Sequence, residues 1–134
     1  MLRLNTRTIK IGNLYLGGKN PITIQSMTNT DSTKVLETFT QVEQLIRTGC
    51  EIIRVSVPNE SSLKVLLEIK EQTQVPLIAD IHFDAGLALN CINKGIDGVR
   101  INPGNIGGEE AVSKIIEAAK KANTCIRIGV NSGS

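Results

Sequence analysis

Apolar residues recur along this chain with two alternating periods. Short runs rich in Ile and Val predict strands at residues 22–25, 51–57, 76–82, 97–102 and 125–130. Apolar positions three and four residues apart predict helices at residues 33–48, 61–72, 85–94 and 109–122. Strands and helices that alternate over short connections are typical of βα units in a parallel sheet.

Before these units, residues 7–18 alternate around Gly12-Asn13 and end at Gly17-Gly18. The pattern predicts a short β-hairpin, placed where it could plug one end of a barrel. A closed eight-stranded barrel takes about 250 residues, and this chain has 134. We therefore expect an α/β fold in which residues 1–134 form strands one to five, the N-terminal half of a TIM-type (β/α)8 barrel from a longer protein. A complete open sheet is the alternative.

Composition and charge restrict the type of core, the partners and the location that are expected. Apolar residues make up 40% of the chain and aromatic residues only 2%, which predicts an aliphatic core. A net charge of +2 without a basic run disfavours a nucleic-acid partner. No segment is apolar enough to span a membrane or to act as a signal peptide, so a cytoplasmic protein is expected, or a stromal one in a plastid. Cys50, Cys91 and Cys125 form no metal-binding motif and are expected to be buried small residues.

Three of the predicted strands each contain an arginine. Arg54, Arg100 and Arg127 each lie within a β-branched run, and a guanidinium in such a place requires an anionic partner or water because it stays charged. Strand alternation puts all three on the face opposite the Ile and Val rows, near the carboxyl ends where parallel α/β folds bind ligands. The surplus of positive charge predicts a diphosphate ligand.

Further polar residues belong to the same expected face or rim. Asp80 and His82 are two residues apart, a spacing compatible with a metal site, with acid–base chemistry or with hydrogen bonds inside the barrel. Asn102 and Asn131 follow two of the arginines. The loop that begins at Gln25 is rich in short polar side chains that can hydrogen-bond a ligand.

Four segments of the chain resemble segments of a known protein family and occur in the same order as they do there. Together they resemble the 4-hydroxy-3-methylbut-2-enyl diphosphate synthase family over essentially the whole chain. The segments are Gln25-Ser26-Met27-Thr28-Asn29-Thr30, Ala79-Asp80-Ile81-His82-Phe83-Asp84, Arg100-Ile101-Asn102-Pro103-Gly104-Asn105 and Ile126-Arg127-Ile128-Gly129-Val130-Asn131-Ser132-Gly133-Ser134.

The resemblance implies an iron–sulfur oxidoreductase of isoprenoid biosynthesis by the methylerythritol phosphate pathway. It implies reductive ring opening of 2-C-methyl-D-erythritol 2,4-cyclodiphosphate, a 4Fe–4S cluster in a C-terminal domain, electrons from flavodoxin or ferredoxin, and a homodimer in the full-length protein. That domain, its cluster ligands and the catalytic glutamate would lie beyond Ser134, so this chain alone is expected to be inactive and to bind no cluster.

The resemblance also implies substrate-binding roles for matched positions. These are Arg54, Arg100, Arg127, Asn102, Asn131, Ser26, Met27, Thr28, Asp80 and His82. No catalytic residue is assigned within the chain. Two other hypotheses stay open: a non-catalytic phosphate-binding half-barrel that pairs with itself, and a barrel like that of a pterin-binding synthase.

Overall fold

The computed structural model describes residues 4–133, and within them the predicted alternation of strands and helices is confirmed. A two-stranded hairpin comes first, followed by five strands and four helices in alternation. The elements are β1 (Ile9–Ile11), β2 (Leu14–Leu16), β3 (Gln25–Met27), α1 (Val35–Arg47), β4 (Ile52–Ser56), α2 (Glu60–Gln72), β5 (Leu77–Asp80), α3 (Ala85–Asn93), β6 (Gly98–Ile101), α4 (Gly108–Ala122) and β7 (Cys125–Ile128).

Five strands form one parallel sheet in the order β3-β4-β5-β6-β7, so each strand pairs with its neighbour in the sequence. This arrangement confirms the predicted α/β class and the run of βα units. Alternating strand residues such as Ile53, Val55 and Val99 are fully buried in a core that they share with the helices. Leu66 of α2 and Ile115 of α4 belong to the same core.

The predicted apolar row of the last strand is only partly covered. Ile126 packs against the core, whereas Ile128 and Val130 are 68% and 71% exposed. Of the three residues, only Ile126 is therefore covered by the helices. The reason is geometric, because α4 precedes β7 and reaches only its first part, and no helix follows β7 within residues 4–133.

The hairpin is confirmed, and it covers the amino end of the sheet. Ile11 is buried against Ile52 and Ile78, which belong to the face of the sheet away from the helices. Gly98 leaves room beside Ile11, since a Cβ there would make a tight contact of 3.1 Å with Ile11 Cδ1. The β1–β2 turn has Gly12 at φ +54°, in the left-handed region that favours glycine.

Several strands end earlier than their patterns predict, and the first starts later. The strand predicted at residues 22–25 runs from Gln25 to Met27, because its ladder begins where Gln25 pairs with Ile52 at the start of β4. The strand predicted at 76–82 ends at Asp80, the one at 97–102 at Ile101 and the one at 125–130 at Ile128. His82, Asn102 and Asn131 thus lie in the loops after their strands.

Helix ends follow local capping chemistry. The Asn59 side chain accepts from the Ser62 N–H, and Ser62 Oγ accepts in return from the Asn59 N–H, which closes a capping box at the start of α2. Gly49, just after α1, has φ +103°, in the left-handed region that is common where helices end. Within residues 4–133, no helix combines the length and apolar character needed to cross a membrane.

Candidate functional site

Asp80 joins two of the predicted arginines at the carboxyl end of the sheet. Its Oδ2 lies 3.4 Å from Arg54 Nε, and its Oδ1 lies 3.4 Å from Arg100 Nη1. The strand register explains why these side chains lie close together. Asp80 pairs with Arg100 on one side and, on the other, with Ser56, which is two residues after Arg54 on the same strand. Residues paired in a parallel ladder point to the same face, so the three side chains converge by strand geometry.

The charges at this cluster do not balance. One carboxylate faces Arg54 and Arg100, and its side chain is only 4% exposed while theirs are 23% and 19% exposed. A single acidic partner leaves most of the donors of the two guanidinium groups available, since each carries five N–H donors. Arg54, Asp80 and Arg100 together retain an excess of positive charge. We call these three residues the anion cluster, because that excess suits an anionic ligand.

Acidic residues at the opposite end of the strands cannot neutralise this excess. Asp97, before β6, binds Lys70 Nζ at 2.9 Å and also accepts from the Leu77 N–H. Glu51, before β4, accepts from the Ile24 N–H at 2.9 Å. Both carboxylates are engaged at the amino ends of the strands.

Arg127 pairs with Arg100 in the strand register but contacts a different residue. Its Nη1 donates to Oε1 of Gln25, which lies on the first strand of the sheet. This contact joins β3 and β7 across the face that carries the anion cluster. All three predicted arginines therefore lie on that face, two at Asp80 and the third at a neutral amide.

Met27 and Ser26, from the first of the four segments that carry the resemblance, lie on opposite faces of the sheet. Met27 pairs with Arg54, and its Sδ accepts from Arg54 Nε at 3.3 Å. Ser26 instead pairs with Ile53, whose side chain is buried in the helix-facing core. The structure therefore does not bring Ser26 to the arginines. Thr28 is buried after the strand, and its N–H donates to the Arg54 carbonyl at 3.0 Å.

Three predicted residues that lie in loops make different contacts. His82 is at the rim, with Nε2 3.7 Å from Asp80 Oδ2. Asn102 is buried, and its Oδ1 accepts from the Gly104 N–H at 3.1 Å, which shapes the turn after β6. Asn131 is exposed, and its Oδ1 accepts from the Gly133 N–H at 3.1 Å. Their predicted contacts with substrate stay predictions.

The cysteines do not form a metal-binding set. Among residues 4–133, no group of three or more His, Cys, Asp and Glu side chains is arranged to hold a metal ion. Cys91 is buried in the helix–sheet core, Cys125 packs under the hairpin and Cys50 is half-buried before β4. Burial raises the pKa of the Cys91 thiol to about 12. These residues therefore do not fit an iron–sulfur cluster.

Two residues of this face were given no individual role from the sequence. Gln25 binds Arg127, and its place on the same face as Met27 was readable from strand alternation. Gly129 lies directly against the Arg100 guanidinium. Glycine carries no functional group, so the sequence offered no chemical signal for this second contact.

Comparison with known proteins agrees with the resemblance that the four segments carry. Residues 6–134 match the family model described as the GcpE TIM-barrel domain. Proteins named 4-hydroxy-3-methylbut-2-en-1-yl diphosphate synthase (flavodoxin) are similar to it. The one from Fusobacterium nucleatum is 54% identical over 97% of this chain and 37% of its own length. The one from Caldanaerobacter subterraneus is 54% identical over 99% and 38%, and that from Listeria monocytogenes 48% over 100% and 36%. The chain thus spans less than two fifths of each of these relatives.

Proposed function

Because this chain belongs to the GcpE TIM-barrel family, we propose that it forms the substrate-binding half-barrel of a 4-hydroxy-3-methylbut-2-enyl diphosphate synthase. The substrate is the cyclic diphosphate of methylerythritol. Opening its ring breaks one carbon–oxygen bond to phosphate, takes up two electrons and two protons and releases one water. The family match favours this function over that of a pterin-binding synthase.

The observation that carries the proposal is the anion cluster. Two guanidinium groups lie within 3.4 Å of one buried carboxylate, and Arg127 shares their face of the sheet. Guanidinium donors match phosphate oxygens in pairs, and a diphosphate compensates positive charge that one Asp does not. Arg54, Arg100 and Arg127 therefore bind the diphosphate, while Asp80 holds the first two in place.

The reducing part of the reaction belongs to other components of the full-length enzyme. We place a 4Fe–4S cluster, its ligands and the catalytic glutamate in a separate C-terminal domain, with the complete enzyme a cytoplasmic homodimer. The name of the relatives points to flavodoxin as electron donor, and ferredoxin is the alternative. His82 and the exposed Phe83 face the rim over which that domain would close.

A first experiment measures binding of inorganic pyrophosphate to the chain by calorimetry. Replacing Arg100 with Met should weaken binding by about 1.5–3 kcal/mol, roughly 10- to 150-fold, because a charge-assisted contact is lost. Arg47→Met is the matched control, since Arg47 is exposed in the last turn of α1. Unchanged affinity in Arg100→Met would show that Arg100 does not bind the ligand.

A second experiment tests the activity itself in a chimaera. This chain replaces the matching segment of the Caldanaerobacter relative, with which it aligns over 133 residues. We expect the chimaera to reduce the cyclic diphosphate and the Arg100→Met chimaera to lose most of that turnover. A folded chimaera that carries its cluster but does not turn over the substrate would contradict the proposal.

A further inference from the structure

The Arg100 guanidinium rests on a stretch of backbone without a side chain. A Cβ built at Gly129 would lie 2.8 Å from Arg100 Cζ and closer still to Nε and Nη2. Such separations are shorter than real Cβ contacts. No side chain fits at position 129 while the guanidinium keeps its place at 3.4 Å from Asp80.

Backbone conformation does not explain this glycine. The φ of Gly129 lies outside the left-handed region, so no left-handed turn requires glycine there. Its N–H donates to the Ile101 carbonyl at 3.0 Å, which continues the β6–β7 pairing past the end of the strands. The pairing holds this backbone beside Arg100, and strand alternation directs position 129 to the same face as Arg127.

We propose that Gly129 is a positioning residue for the anion cluster, an inference that rests on the function proposed above. Its bare backbone forms the surface on which the Arg100 guanidinium lies, while Asp80 holds Nη1 from the neighbouring strand. A methyl group at position 129 displaces the guanidinium from Asp80 and from the phosphate that it binds. Gly129 itself touches no ligand and acts only through Arg100.

The test measures pyrophosphate binding in four variants of the chain by calorimetry. Gly129→Ala should weaken binding at least tenfold. Gly133→Ala is the matched control, because a Cβ there meets its nearest neighbour at an ordinary 3.6 Å, and it should bind within twofold of the unchanged chain. Arg100→Ala and the double variant Arg100→Ala/Gly129→Ala should bind equally weakly, since removing Arg100 removes the clash.

Two binding results would overturn the inference. One is undiminished affinity in Gly129→Ala, and the other is a further loss of more than threefold when Gly129→Ala is added to Arg100→Ala. A proton–nitrogen NMR spectrum of the arginine Nε–H groups gives a readout that needs no ligand. The Arg100 resonance should move in Gly129→Ala and stay in place in Gly133→Ala.

The NMR measurement also separates this inference from the proposed function. If the unchanged chain does not bind pyrophosphate, the proposed function fails, and the Arg100 resonance alone decides the role of Gly129. A shifted resonance in Gly129→Ala then supports the positioning contact. A resonance unmoved by Gly129→Ala overturns it.

Discussion

At the scale of single residues, the three arginines have different partners. Arg54 and Arg100 share Asp80, whereas Arg127 binds Gln25. Arg54 and Arg100 are held by Asp80, so their like charges are kept together before any ligand arrives. Removing the shared carboxylate would leave two half-buried cations facing each other, which is costly in a poorly solvated environment. Asp80 therefore organises the cluster without neutralising it.

Gln25→Leu tests the partner of Arg127. The variant removes the amide oxygen that receives the Arg127 N–H, and it leaves a side chain of similar size. Pyrophosphate binding should weaken by about 1 kcal/mol, roughly fivefold, because one modest hydrogen bond that orients Arg127 is lost. Calorimetry measures the change, with the exposed Gln44→Leu as control. Equal affinities for the two variants would disprove the orienting role.

Thiol labelling tests the burial of the cysteines. At pH 8, a pKa of about 12 leaves about one Cys91 thiol in ten thousand ionised, and the side chain is fully buried. Cys91 should therefore react with iodoacetamide far more slowly than half-buried Cys50, as followed by peptide mass spectrometry. In urea all three cysteines should react alike. Rapid native labelling of Cys91 would contradict its place in the core.

At the scale of elements, the hairpin and the βα loops divide the sheet into two ends with different functions. The hairpin closes the amino end with Ile11, Leu14 and Leu16, while the polar side chains that face away from the helices gather at the carboxyl end. Apolar filling at one end excludes water there, and the charged side chains lie at the other. The hairpin thus packs the sheet without contributing a residue to the site.

The pair Ile11→Ala and Ile9→Ala tests this role on one strand. Ile11 is 1% exposed and Ile9 is 46% exposed, so only the first variant opens a cavity under the sheet. Ile11→Ala should lower the free energy of unfolding by about 2–5 kcal/mol, and Ile9→Ala should change it by less than about 1 kcal/mol. Urea unfolding followed by circular dichroism measures both. Similar losses in the two variants would show that the hairpin is not packed as described.

At the scale of the whole molecule, the sheet is curved and has two unpaired edges. The contact between Gln25 on β3 and Arg127 on β7 requires the first and last strands to approach across one face. Among the strands described here, β3 and β7 each pair on one side only. Unpaired strand edges with exposed apolar side chains such as Ile128 promote association between copies.

We expect the isolated chain to self-associate in a concentration-dependent manner. Ile128→Lys should reduce this association, because it adds charge to the exposed outer side of β7. Analytical ultracentrifugation measures the distribution of masses, and Leu36→Lys at an exposed position of α1 is the control away from β7. A monomer at all concentrations, melting cooperatively at high temperature, would rule out the half-barrel interpretation.

The sequence sufficed for the class of fold because its information is local and repeated. Each strand and helix carries its own periodicity, and the order of βα units leaves few topologies open. Element ends were less accurate, as at Asp80 and Ile128, because pairing with a neighbouring strand decides where a strand stops. The arginines were identifiable in advance because charge within an apolar run demands a partner.

The amino acid sequence alone determined the parallel α/β plan, the preceding hairpin and the shared face of Arg54, Arg100 and Arg127. Only the tertiary structure decided that Asp80 joins two of them, that Gln25 receives the third and that Ser26 faces the helices. Periodicity reports which side a residue occupies along its own strand. Register between strands brings distant residues within hydrogen-bonding distance, and it depends on how all the elements pack together.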